Sequence, residues 1–130
     1  MMKWLGAAAL AAGLLGTALA DDPKSIDEIM KRLNSAKGIQ RKLLPDAVKA
    51  GNWDEAQKLT REYVVLAGHL GQNKPPKGEQ KSWEKLTGDY LTSVKNLHEA
   101  VQKKDKDAAL AAHKKIGTAC KSCHDAHKAD

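Results

Sequence analysis

Hydrophobic positions recur with a helical period from Ile26 to the C-terminal end of the chain. Ile26, Ile29, Met30, Leu33, Ala36, Leu43, Leu44 and Ala47 fall at three- and four-residue spacings, which puts them on one face of a helix. Ser25-Ile26-Asp27-Glu28 opens this first segment with a capping-box pattern. Gly38 weakens its middle, Pro45 is expected to kink or break it near its end, and Ala50-Gly51 closes it. Asn52-Trp53-Asp54-Glu55 starts a second segment, with an N-cap and acids in the first turn. Its stripe is Ala56, Leu59, Tyr63, Leu66, Ala67 and Leu70, and Gly71 is expected to end it. Tyr63-Val64-Val65-Leu66 is the nearest thing to a strand, and it reads better inside this longer helix. Pro75-Pro76 and Gly78 mark residues 71–79 as a loop. A third segment runs from about Ser82 to Lys103, with Trp83, Leu86, Tyr90, Val94, Leu97 and Val101 on one face. The fourth starts near Asp105 or Asp107 and ends around His127, with Leu110, Ala112, Ile116, Ala119, Cys120 and Cys123 inward. Four amphipathic helices with mostly short connections predict an all-α fold, an antiparallel four-helix bundle.

Residues 1–20 do not fit this pattern. Lys3 is a short basic region, Leu5 to Leu15 is an apolar run, and Ala18-Leu19-Ala20 is a small-x-small cleavage site. That order reads as a secretory signal peptide. The apolar run is short for a spanning helix, which needs about 20 residues, and Asp21-Asp22 follows at once. Residues 21–130 are then the mature domain, exported to the periplasm and without a further membrane segment.

Composition narrows the function. The 130 residues carry 22 Lys+Arg against 16 Asp+Glu, a net charge of +6 that falls by one with Lys3. The lysines are dispersed among acids, without a basic stripe interleaved with aromatics, so nucleic acid is not an expected partner. An acidic protein partner suits the mild excess. Aromatics make up 4% of the chain and Phe is absent, which leaves core volume for something other than side chains. No paired carboxylates, no nucleophile with its base and no phosphate loop stand out, so an enzyme is not expected.

Two cysteines decide the chemistry. Cys120-Lys121-Ser122-Cys123-His124 is C-x-x-C-H, the attachment pattern of c-type haem. Thiols three residues apart on a helix lie on one side, about a turn apart. Each can add to one vinyl group of the same porphyrin, and the adjacent histidine can ligate the iron. One covalent haem c is therefore the expected cofactor, held by Cys120 and Cys123 with His124 as proximal ligand. A redox-active disulfide would want alternating strands and helices. Half a zinc site would need His98 or His113 to complete it.

The chain resembles the class II c-type cytochromes, cytochrome c-prime and its low-spin relatives. The resemblance is carried by the stretch from Gly117 to Lys128, and more weakly by Trp83, Leu86 and Tyr90 on the third helix. It implies an exported four-helix bundle with haem near the C-terminus. Lys128 fits the family's basic position, while His127 stands where Tyr or Phe is usual. Related bundles often pair through their first two helices, so the resemblance also implies a homodimer.

The sixth iron position separates two functions. Met30 is the methionine left once Met1 and Met2 are removed with the signal. A methionine at helical spacing serves either as core filler or as a thioether ligand. The resemblance favours ligation, because low-spin relatives supply a methionine from the first helix. A His124/Met30 pair implies a low-spin carrier of single electrons to redox partner proteins. Without Met30, the haem is five-coordinate and binds small gases such as nitric oxide, with Leu33 or Asn34 lining the distal face. His69, His98 and His113 read as surface or satisfied boundary residues; His113 is about 16 Å along the helix axis from His124. His127 and Lys128 are expected near the haem edge. Trp53 and Trp83 head their helices and either pack on the porphyrin or cap the bundle end.

Overall fold

The computed structural model describes residues 24–128. The signal peptide expected at residues 1–20 lies outside them. Helix α1 spans Ile26–Asn34, and a π-helical segment, Ile39–Leu43, leads into α2, Leu44–Lys49. Helices α3, Trp53–Gln72, α4, Gln80–Gln102, and α5, Lys106–His127, complete an antiparallel four-helix bundle whose first limb is broken. No strand occurs among the described residues.

Each helix start has a local cause. The Ser25 hydroxyl accepts from the Glu28 N–H at 3.2 Å while the Glu28 carboxylate accepts from the Ser25 N–H at 3.2 Å, closing the capping box. The Asn52 and Asp105 side chains cap α3 and α5. Two helix ends use one device. At the end of α2, Gly51 sits at φ 73° while its N–H reaches Val48 and that of Asn52 reaches Ala47. At the end of α4, Lys104 sits at φ 56° and the same pair of bonds runs to Val101 and Ala100. This is the Schellman closure, made in the second case without glycine.

The first limb departs from expectation. Pro45 does not break the chain; it lies at the start of α2. A proline clashes with the carbonyl four residues back and lacks an N–H. The wide turn before it removes that conflict: the Leu44 N–H reaches Ile39, five residues back. The break falls instead at residues 35–38. There a Cβ on Gly38 would stand 2.3 Å from the Leu33 carbonyl oxygen, so the return of the chain against α1 requires glycine. Gly71, expected to end the second helix, lies inside α3, which Asn73 terminates.

Stripes from all four limbs form one core. Ile29, Leu33, Ile39, Leu44, Tyr63, Val94, Leu97 and Ile116 are completely buried or nearly so. Arg32 on α1 clamps Glu62 on α3 with two bonds of 2.6 and 2.8 Å. The guanidinium holds the Glu62 carboxyl below the usual range, and its geometry is the bidentate fork that carboxylates match best.

Candidate haem site

Near the end of the bundle where α1 begins and α5 finishes, a cavity of about 530 Å³ opens. Its size falls within the range of ligand sites. Ile26, Leu70, Pro76 and Trp83 make its apolar wall. Met30 and Asn34 face it from α1, and Cys120, Cys123 and His124 face it from α5. A smaller cavity adjoins it, sharing Met30, Leu70, both cysteines and His124 and adding Tyr90. The proposed ligand pair and both proposed attachment residues thus share one chamber. They are brought there from positions up to 94 residues apart in sequence, from Met30 to His124.

Helix α5 places its three residues by spacing alone. Cys120 and Cys123 are half-buried on its inner side, and neither is in a disulfide. Burial pushes both thiols above their ordinary value, with the Cys123 charge adding to the effect on Cys120, so both stay protonated at neutral pH. His124 is exposed at the cavity mouth.

The histidines differ in what their rings touch. His69 accepts from the Lys24 N–H at 3.3 Å. His98 shares a 2.6 Å hydrogen bond with the Thr60 hydroxyl. His113 donates from Nε2 to the Gln40 carbonyl at 2.7 Å. His127 donates from Nδ1 to the Lys77 carbonyl at 2.8 Å, and its Nε2 shares a 2.9 Å hydrogen bond with the Ser82 hydroxyl. The His124 imidazole hydrogen-bonds to none of the described residues. Of the histidines, only His124 and His127 line the cavity, and His127 has both ring nitrogens engaged, so His124 is the one placed to ligate a metal there.

His127 fills the place where the family resemblance puts an aromatic residue, and it does so completely buried. Its ring stands edge-on to Trp83, with centroids 5.4 Å apart and planes at 76°. It also lines the cavity. Its two hydrogen bonds fasten the end of α5 to the loop before α4 at Lys77 and to the first turn of α4 at Ser82. Gly78 permits that approach, since a Cβ there would meet His127 Nδ1 at 2.6 Å, and its φ of 85° suits glycine. Trp83 is anchored through Nε1 to the Asn73 carbonyl at 2.7 Å. Trp53 packs on the core away from the cavity. Asn34 lines the distal side as expected of the open alternative, whereas Leu33 points into the core.

A polar chain lies beside the site. Tyr90 donates to the Tyr63 hydroxyl at 3.0 Å, and Tyr63 donates to the Gln40 side-chain oxygen at 2.8 Å. Burial pushes both phenols well above their ordinary value. The sequence reading took the tyrosines as part of apolar stripes and did not single out Gln40. A glutamine between two helical stripes carries no signal of its own.

Both rivals of the haem reading lack a partner for the cysteines. Among the described residues, no three His, Cys, Asp or Glu side chains gather as a metal site would require. The strands that a thioredoxin-like disulfide would want are absent from the same residues.

Residues 78–128 match the family model of Cytochrome C'. The matched stretch begins at Gly78, just before α4, and runs to the cap of α5, so it contains Trp83, Tyr90 and the whole C-x-x-C-H motif. It supports a haem-binding c-type cytochrome, and the described four-helix bundle is the fold of the cytochrome C' family. Met30 lies outside the matched stretch. No curated protein and no solved structure matches the chain. No helix of the described residues is long and apolar enough to cross a membrane.

The site fits a c-type haem on its own chemistry. Two free thiols a turn apart face an apolar chamber with an unclaimed imidazole beside them. The thioether of Met30 lines the same chamber from α1.

Proposed function

We propose that this protein is a periplasmic monohaem cytochrome that carries one electron at a time and catalyses no reaction of its own. Cys120 and Cys123 would hold the porphyrin through thioether bonds, His124 would ligate the iron, and Met30 would be the sixth ligand. The observation that carries the reading is that Met30, Cys120, Cys123 and His124 wall one cavity, in which the other lining histidine, His127, has both ring nitrogens engaged. A bound haem would supply a ferric/ferrous couple, and ligation by both His124 and Met30 would suit outer-sphere electron transfer. The chain's own part is to hold that shell still and dry. Trp83, Leu70, Ile26 and Pro76 give the cavity an apolar wall that would keep water from a bound porphyrin, and His127 with Gly78 locks the helix that bears His124. The net positive charge suits an acidic redox protein as partner, and the resemblance adds a homodimer through the first two helices.

The test is the absorption spectrum of the exported protein in both oxidation states, with pyridine haemochrome and mass spectrometry to count the haem. One haem per chain and a low-spin spectrum are expected, and Met30→Ala turns the ferric protein high-spin. A wild type that is already high-spin, and whose reduced form binds carbon monoxide without displacing a ligand, replaces this reading with a five-coordinate gas-binding protein. A colourless chain without the added mass of a porphyrin removes haem altogether.

A further inference from the structure

Met30 is not the last polar-tipped residue on its face of α1. Asn34 follows four residues on, so the two side chains are neighbours on the helix surface. The Asn34 Nδ2 donates to the Met30 Sδ at 3.5 Å, and both residues line the cavity. A thioether is a weak acceptor, and a half-buried amide at a helix end can turn outward to water. Asn34 nevertheless turns inward to the sulfur. Its own position is fixed: it is the last residue of α1, and the chain beyond it is held by the close return of Gly38 onto Leu33.

Methionine is the most adaptable of the apolar side chains, with three rotatable bonds. That freedom serves a core filler and works against a ligand, which must present one lone pair from one direction. A hydrogen bond to the sulfur removes much of it. One lone pair is occupied by the amide, and the other is left for the cavity.

We propose that Asn34 is a positioning residue for Met30: its side-chain amide fixes the thioether so that the remaining sulfur lone pair faces the haem cavity. This rests on Met30 being the sixth ligand. A merely structural Asn34 would affect stability and leave the ligand's behaviour untouched.

The experiment uses the holoprotein and the variant Asn34→Leu, which keeps the bulk and removes the donor. Asn34→Ser, smaller and unable to overfill the wall, stands in if the leucine protein does not fold. Three quantities are read: the affinity of ferric protein for added imidazole, which must displace Met30; the proton resonance of the Met30 methyl in the reduced protein; and the reduction potential. Imidazole is expected to bind about fivefold more tightly to the variant, the effect of losing one neutral hydrogen bond. The methyl resonance is expected to shift or broaden as the sulfur samples more than one orientation, and the potential to fall. Unchanged imidazole affinity, methyl resonance and potential, in a protein whose low-spin spectrum still depends on Met30, would overturn the role of Asn34 alone. A wild type without a low-spin, Met30-dependent spectrum overturns the ligand assignment and this inference with it.

Discussion

A single hydrogen-bond partner separates the histidines of this protein by role. His127 is bonded at both ring nitrogens, so it packs like an aromatic residue while satisfying the backbone of the neighbouring loop. His98 faces Thr60, and burial, with Arg61 nearby, lowers its pKa from the ordinary 6.5. Its charged form is therefore less welcome in the folded protein than in the unfolded chain. Below about pH 6.5 the unfolded chain takes up this proton first, so folding stability falls as pH drops, until the folded form is protonated too. Thermal melts at pH 7.5 and pH 5 should show a smaller loss for His98→Gln than for the parent protein; equal losses would remove His98 from the account. Cys120, Cys123 and His124 were legible in the sequence because their chemistry is written in adjacent positions. The burial of His127 was not, because Trp83 and Ser82 meet it from another helix.

At the scale of elements, the first limb shows how one local conflict moves a break. Pro45 was expected to end the helix, and a proline in a regular α-helix would. The π-helical turn at Ile39–Leu43 widens the winding just before it, and the interruption shifts to Gly38. Gly38→Ala would press a Cβ against the Leu33 carbonyl at 2.3 Å, where only backbone movement gives relief. A loss of about 3 kcal/mol is expected, at the upper end of ordinary single substitutions, measured by urea unfolding. A loss under about 0.5 kcal/mol, the usual scatter of surface changes, would mean that the return is not tightly constrained. The helix starts at Ser25, Asn52 and Asp105 were readable, since a cap and its partner lie three residues apart. The Lys104 turn carried no glycine to announce it, and the π-turn has no sequence signature apart from its proline.

Across the whole molecule, one buried polar chain joins limbs that the apolar core alone would let slide. Tyr90 on α4, Tyr63 on α3 and Gln40 on the π-turn are linked in sequence. Gln40 also donates to the His113 carbonyl on α5 and accepts His113 at its own carbonyl. All four limbs meet in this chain beside the cavity that Tyr90 touches. Tyr63→Phe would leave the Gln40 oxygen without its donor and the Tyr90 hydroxyl without its acceptor, both out of reach of bulk water. The expected cost is about 1–3 kcal/mol, read as a lower urea midpoint at unchanged slope. An unaltered midpoint would show the chain to be neutral.

Periodicity and capping, which depend on residues a few positions apart, predicted the four limbs and most of their inward faces, but not the break in the first limb, where Ala36 of the expected stripe is exposed. The covalent logic of C-x-x-C-H is equally local and was complete in five residues. Which methionine faces those five, that Asn34 holds its sulfur, and that four of the five histidine rings are already bonded are relations between segments far apart in the chain. Packing alone settles them, because the energy of a contact depends on distance in space, and a linear order of residues does not contain that distance until the helices have closed around their core.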